Sequence, residues 1–200
     1  MSGLRERIQF IKTFKSDKNV AAIVPSSKFV VRDVIKRFPK KINSVIECGP
    51  GEGVMTRAVL KRLDPAGKML VIESNLQFTD ILREIHDPRL LITEGRAQDM
   101  TGYAVNYQME NADLILASIP FSFLKPLERR QFVRDAYELL APVGILIIFH
   151  QYSPLMYRSV KKIFGNTRLT LETRNLPPCF IMIAHKGTAS RKEKRAAKNK

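Results

Sequence analysis

The chain has 200 residues, 44% of them hydrophobic and 26% charged. That length and balance suit one globular domain with a proper core, and they exclude a disordered or fibrous chain. The formal net charge of +15, from 34 Lys and Arg against 19 Asp and Glu, points to polyanionic partners, nucleic acid or an anionic membrane surface, without choosing between them.

The two cysteines, Cys48 and Cys179, are too few for a disulfide framework and favour a reducing, cytoplasmic setting. The N-terminus, MSGLRERIQFIKTFK, interrupts its apolar residues with charge every few positions and is not a signal peptide. The longest clean apolar run, Ile145 to Phe149, falls far short of the roughly 20 residues that span a bilayer. From Lys186 to Lys200 the chain carries a net charge of +6, which leaves +9 on the rest.

In chain order, residues 4–16 predict an amphipathic helix, with Leu4, Ile8, Ile11 and Phe10, Phe14 at helical spacing and Arg5, Arg7, Lys12 and Lys15 interleaved. Val24-Pro-Ser-Ser27 reads as a break and an N-cap before a helix over 27–38, which Phe38-Pro39 ends. Strand and helix then alternate: strand 44–48, helix 54–63, turn 64–67, strand 69–73, helix 76–85, strand 90–93, strand 112–117, helix 126–140, strand 145–149 and a helix near 155–163. Two last strands, 168–174 and 179–185, flank Pro177-Pro178 with no helix between them. They should pair antiparallel at one end of a mostly parallel sheet covered by helices on both faces. The expected organisation is an N-terminal helical segment, 1–41, one α/β domain, 42–186, and a disordered basic tail, 187–200.

The first strand runs into Val45-Ile-Glu-Cys-Gly-Pro-Gly-Glu-Gly53. In an open parallel sheet such a turn faces the ligand crevice, where glycines admit a close ligand and the next helix offers free N–H groups. A dinucleotide turn, G-x-G-x-x-G, needs glycine at 54, where Val54 stands, and there is no P-loop lysine. A carboxylate two residues before the turn, Glu47, suits a ligand bearing an ammonium group. Glu73 ends the second strand 22 residues beyond Gly51, where an acid accepts hydrogen bonds from ribose hydroxyls. Together these describe S-adenosylmethionine.

On these residues the chain resembles the class I methyltransferases that use S-adenosyl-L-methionine: E-x-G-x-G-x-G at the first strand, then V-I-E at the second, over residues 42–185. The resemblance implies a Rossmann-like fold with a seven-stranded, mostly parallel sheet and an antiparallel terminal strand. It implies cofactor contacts at Glu47, Gly49, Pro50, Gly51, Gly53, Thr56, Glu73 and Ser74. The third-strand loop, Gly95, Arg96 and Ala97, and the fourth, Ser118, Ile119 and Pro120, complete that set. The chain departs from the family at Gly95-Arg96-Ala97, where G-D-A is usual, so Gln98, Asp99 or backbone groups would have to meet the adenine.

Within that superfamily the rRNA adenine dimethylases and the bacterial phospholipid N-methyltransferases share this motif. Three features resemble the lipid enzymes: the entry segment Phe10–Ile35 with Pro25, Ser26 and Ser27 on the substrate side, Ser118 where an adenine methylase has Asn or Asp, and no helical second domain after the last strand. The expectation is a peripheral enzyme at the inner face of the cell membrane that methylates phosphatidylethanolamine. An rRNA adenine N6-methyltransferase and a non-catalytic RNA- or membrane-binding module are the alternatives. Phe121 and Tyr152, just after the fourth and fifth strands, are candidates to face a growing ammonium, and His150 to accept a proton. The helix at 4–16 and the basic tail are candidate membrane contacts. No metal is expected.

Overall fold

The computed structural model describes residues 27–151 and 153–187. The helix expected over 4–16, Pro25, Ser26, Tyr152 and the tail from 188 lie outside the described residues.

The strands are β1 (Ser44–Cys48), β2 (Lys68–Glu73), β3 (Leu90–Glu94), β4 (Ala112–Ala117), β5 (Leu140–Gln151), β6 (Thr167–Glu172) and β7 (Cys179–His185). They form one sheet in the order β3-β2-β1-β4-β5-β7-β6. The first five are parallel, and β7 pairs antiparallel with both β5 and β6. The chain works outward from β1 to β3 and then crosses to β4. The strand order therefore reverses between β1 and β4, where an open α/β sheet forms its ligand crevice. The expected Rossmann-like architecture is the one found.

Alternating side chains divide the core into two layers, as the period of two in a strand requires. Val45, Met69, Leu114, Ile147, Phe149 and Ile181 pack on one face, and Ile46, Leu70, Ile115, Ile148, Met182 and Phe121 on the other. Helices α1 (Lys28–Ile35), α2 (Val54–Leu60) and α3 (Leu76–Arg83) cover the first face. Helices α4 (Met100–Asn106), α5 (Pro126–Leu139) and α6 (Tyr157–Phe164) cover the second.

The helix starts follow local chemistry. The Ser27 hydroxyl accepts from the Val30 N–H at 3.4 Å, and Asn75 Oδ1 accepts from the N–H groups of Gln77 and Phe78. Each satisfies orphan donors of a first turn. At α5, Pro126 opens the helix and the Glu128 carboxylate reaches back to the Lys125 N–H at 2.7 Å.

Three differences from the sequence reading stand out. Helix α4 and the short 3-10 turn at Ala97–Asp99 before it were not expected, because Gly102 and a seven-residue length leave little periodic signal. Strand β5 begins at Leu140, five residues early, and carries Pro142-Val143-Gly144 as a bulge, with Val143 at φ 63° and a register shift opposite Ala112 and Leu114. Helices α1 and α2 end three residues sooner than expected, at Ile35 and Leu60.

Candidate active site

Glu47 is the centre of the site. As the fourth residue of β1 it is 1% exposed, and its Oε2 accepts a 2.6 Å hydrogen bond from the Thr56 hydroxyl on α2. Burial raises its pKa from 4.5 to about 7; the Thr56 hydrogen bond opposes that rise and the nearby Glu73 charge adds to it. A cation placed beside this carboxylate would restore its charge and gain an ion pair in a poorly solvated place.

The glycine turn follows. Gly49, Gly51 and Gly53 have φ of 75°, 55° and 77°, the left-handed region that glycine enters without strain. A side chain at Gly49 would meet Ile119 Cγ2 at 2.7 Å and the Ser118 carbonyl at 2.8 Å, so the loops after β1 and β4 touch there. At Gly51 a side chain would find no atom within 4 Å. The space that Gly51 leaves open belongs to a cleft of about 440 Å³, partly open to solvent. Glu47, Gly49, Pro50, Gly51 and Ser118 line it, together with Met55, Phe78 and Phe149.

Glu73, at the end of β2 and 6% exposed, ties three backbone groups together. Its Oε1 accepts from the N–H groups of Ser74 and Asn75 at 2.8 and 2.9 Å, and its Oε2 from that of Gly51 at 3.1 Å. The acid thus fixes the glycine turn against the β2 loop. Three accepted bonds leave about one of a carboxylate's four acceptor positions for a hydroxyl.

The third loop is less cleft-like. The Gly95 N–H extends the sheet by donating to the Glu73 carbonyl at 2.8 Å, and the Tyr103 hydroxyl fills the space a side chain there would need. Arg96 points to solvent and pairs with Glu128 at 3.4 Å, Asp99 is exposed, and Ala97 is buried. Ile119 and Pro120 shape the β4 loop, where the Phe121 N–H returns to the Ile119 carbonyl.

Two expected catalytic side chains face elsewhere. The Phe121 ring is fully buried on the second sheet face, edge-on to Phe132 at 5.2 Å. It is a core residue, so the expectation that it offers an aromatic face to a substrate is corrected. His150 lies 6.4 Å from that ring. It follows Phe149 on β5 and therefore points to the face opposite the cleft. Burial lowers the His150 imidazole below its ordinary pKa, while the backbone of Ser153 and Gln151 pulls the other way. Ser27 acts as the N-cap of α1, and its N–H donates to Asn175 Oδ1 at 3.1 Å. Glu52, Val54, Met55, Phe78 and Phe149 are the cleft residues that sequence reasoning missed; the alternation Ile145, Ile147, Phe149 is the signal that could have found the last.

Among the described residues no group of three or more His, Cys, Asp or Glu is placed to hold a metal ion, and no helix is long and apolar enough to cross a membrane.

No family model matches the chain. It is 30% identical, over 171 residues, to the ornithine lipid N-methyltransferase of Singulisphaera acidiphila, covering 84% of this chain and 88% of that protein. Among solved structures it resembles the N-methyltransferase NodS from Bradyrhizobium japonicum WM9 in complex with S-adenosyl-L-homocysteine, with a TM-score of 0.64 at 12% identity, over 88% of this chain and 97% of that one. It also resembles a spermidine synthase in complex with the transition state analogue AdoDATO, with a TM-score of 0.61 at 19% identity. That match covers 83% of this chain and spans 62% of the synthase. At such identities the solved structures speak for the fold.

Proposed function

Since this chain belongs to the class I S-adenosylmethionine-dependent N-methyltransferases, in one family with the ornithine lipid enzyme, we propose that it methylates the primary amine of a membrane aminolipid, with the phosphatidylethanolamine headgroup as acceptor. The observation that carries this reading is the identity to a lipid-methylating relative along 88% of that relative's length. The relative's own acceptor, ornithine lipid, is the second reading. Both lipids present a primary ammonium on an acyl-bearing body.

The residues of the cleft fit the cofactor. Glu47 is a buried, singly hydrogen-bonded carboxylate suited to the methionyl ammonium, and the open space at Gly51 lets the backbone come close. Glu73 holds the glycine turn in shape and keeps an acceptor position for a ribose hydroxyl, with Ser74 beside it. Gly95, Arg96 and Ala97 remain candidates for the adenine end, although none of them lines the cleft. Ser118 lines the cleft, and we assign it, with Ile119 and Pro120, to the boundary between cofactor and acceptor; Pro50, Gly53 and Thr56 hold the turn. When bound, S-adenosylmethionine supplies an activated methyl group and is left as S-adenosylhomocysteine. The chain's own work is to align the acceptor nitrogen, keep water out and let that nitrogen shed its proton before attack. Phe149 and Phe78 line the cleft, and Tyr152 directly follows β5 in the chain. We assign these aromatic faces to the ammonium that forms as the amine is methylated. Pro25 and Ser26 remain candidates for the acceptor side.

The test is incubation with labelled S-adenosylmethionine and, separately, vesicles containing phosphatidylethanolamine, vesicles containing ornithine lipid, and ribosomal RNA. Label in phosphatidylethanolamine is the expected result. Label in ornithine lipid alone replaces the acceptor by the second reading. Label in RNA alone overturns both, and no label with no cofactor binding assigns the fold a binding role instead.

A further inference from the structure

The described residues include nine large hydrophobic side chains left exposed, and their positions are not random. Six stand on loops and helix starts at the carboxyl edge of the sheet, where the cleft opens: Val54, Leu76, Phe123, Leu127, Leu155 and Leu176. Val105 and Val143 lie at the opposite edge, and Leu171 on the edge strand β6. Soluble surfaces scatter such residues singly, whereas grouping around a site mouth marks an interaction surface.

Charge is grouped with them. Lys125 separates Phe123 from Leu127 at the start of α5. Arg158 stands in the first turn of α6, three residues after Leu155. Helices α5 and α6 run side by side, their C-terminal ends joined by the Tyr137 and Phe164 rings at 5.0 Å, and both start at the carboxyl edge, after β4 and β5. On its far side Leu176 is 78% exposed. Its loop is pinned: the Asn175 amide donates to the Pro177 carbonyl at 2.6 Å, and Asn175 Oδ1 accepts from Ser27.

We propose that this carboxyl edge is a membrane-docking face, seated on an anionic lipid surface so that the cleft opens onto the headgroup layer. Interleaved aliphatic and basic side chains match the boundary between acyl chains and anionic headgroups. Five of the six apolar groups are aliphatic, which suits acyl chains; a surface for single-stranded nucleic acid would carry aromatic faces for stacking. The inference extends the aminolipid reading and rests on it for the identity of the acceptor, but docking itself needs only the anionic surface.

The protein contains no tryptophan, so single reporters are clean. Full-length Leu127→Trp, Leu155→Trp and Leu176→Trp are compared with Val105→Trp at the opposite edge. Each site is exposed, so the substitutions leave the core alone. Vesicles of phosphatidylglycerol and phosphatidylcholine, free of amine acceptor, should blue-shift the three edge reporters and protect them from aqueous quencher, and leave Val105→Trp unchanged. No shift at the edge, an equal shift at Val105→Trp, or a response of the edge reporters to an RNA oligonucleotide but not to vesicles overturns the proposal. In a second arm, Leu127→Asp with Leu155→Asp should methylate phosphatidylethanolamine in detergent micelles at the parent rate. On vesicles it should be about tenfold slower or worse. Docking without any methylation of phosphatidylethanolamine sinks the acceptor reading alone, and methylation without an edge shift sinks the docking face alone.

Discussion

Replacing Glu47 by glutamine should stabilise the free protein and damage the site. Burial lifts the Glu47 carboxyl from 4.5 to about 7. In the unfolded chain it titrates near 4.5, so between pH 4.5 and 7 the folded state holds more protons than the unfolded one. Stability therefore falls as pH rises through that window. The cost is absent below 4.5, where both states are protonated, and complete above 7. A displacement of roughly 2.5 pH units at 1.36 kcal/mol each makes the full cost about 3 kcal/mol. The glutamine side chain has no charge to bury, and its carbonyl can still accept from Thr56. Urea unfolding of both proteins at about pH 5, 6, 7 and 8 isolates the effect, because other titrating groups cancel in the difference. The advantage of Glu47→Gln should be small near pH 5 and approach ~3 kcal/mol at pH 8. A gap that stays flat or narrows with pH would falsify the assignment of a strained, buried acid. In the same pair, S-adenosylmethionine affinity should rise with pH for the parent as Glu47 ionises, and be weak with little pH dependence for the variant.

Glu73→Ala should weaken cofactor binding by about 1.5–3 kcal/mol in calorimetry, and it should also lower the melting temperature, because three backbone N–H groups lose their acceptor. Unchanged affinity would remove Glu73 from the site. Gly51→Ala should cost only about 1–2 kcal/mol of stability, the strain of a left-handed alanine, yet abolish cofactor binding by filling the cleft. Gly49→Ala should cost more, since its side chain would strike Ile119 and the Ser118 carbonyl; equal melting temperatures for the two variants would refute the packing argument. Asn175→Ala should release both Ser27 and the Pro177 carbonyl, and hydrogen exchange at the first turn of α1 should rise above that of β1.

The fold was legible where burial on both faces forces continuous apolar runs. β1, β4 and β7 lie where the sequence puts them, and the lack of a helix between β6 and β7 was enough to make that pair antiparallel. Legibility failed at α4, where Met100–Asn106 has Gly102 in its first turn and draws its support from tertiary packing of Met100 and Ala104. The site divides the same way. Glu47, Gly49, Gly51 and Glu73 sit at fixed offsets from strand ends, so motif and geometry agree. Met55, Phe78 and Phe149 reach the cleft from α2, α3 and β5, separate elements that only the folded sheet brings together. Phe121 stands at a strand end, where an aromatic suits a core as well as a site, and its ring is buried against Phe132.

The acceptor side turns on parity along β5. Phe149 and His150 are neighbours in sequence but occupy opposite faces of the sheet, because successive strand side chains alternate. Phe149 shares its face with Met55 and lines the cleft with Glu47, while His150 shares its face with Phe121 behind the β4 loop. Under the proposed reading, His150 on the second face is not placed to take a proton from an amine held on the first. The described residues therefore supply this cleft with two carboxylates and two aromatic rings but no imidazole. Chemistry there rests on alignment, desolvation and a cation-friendly wall more than on a positioned base. Under the proposed reading that suits methyl transfer to an amine, since the nitrogen can shed its proton to solvent at the open margin before it enters the water-poor cleft.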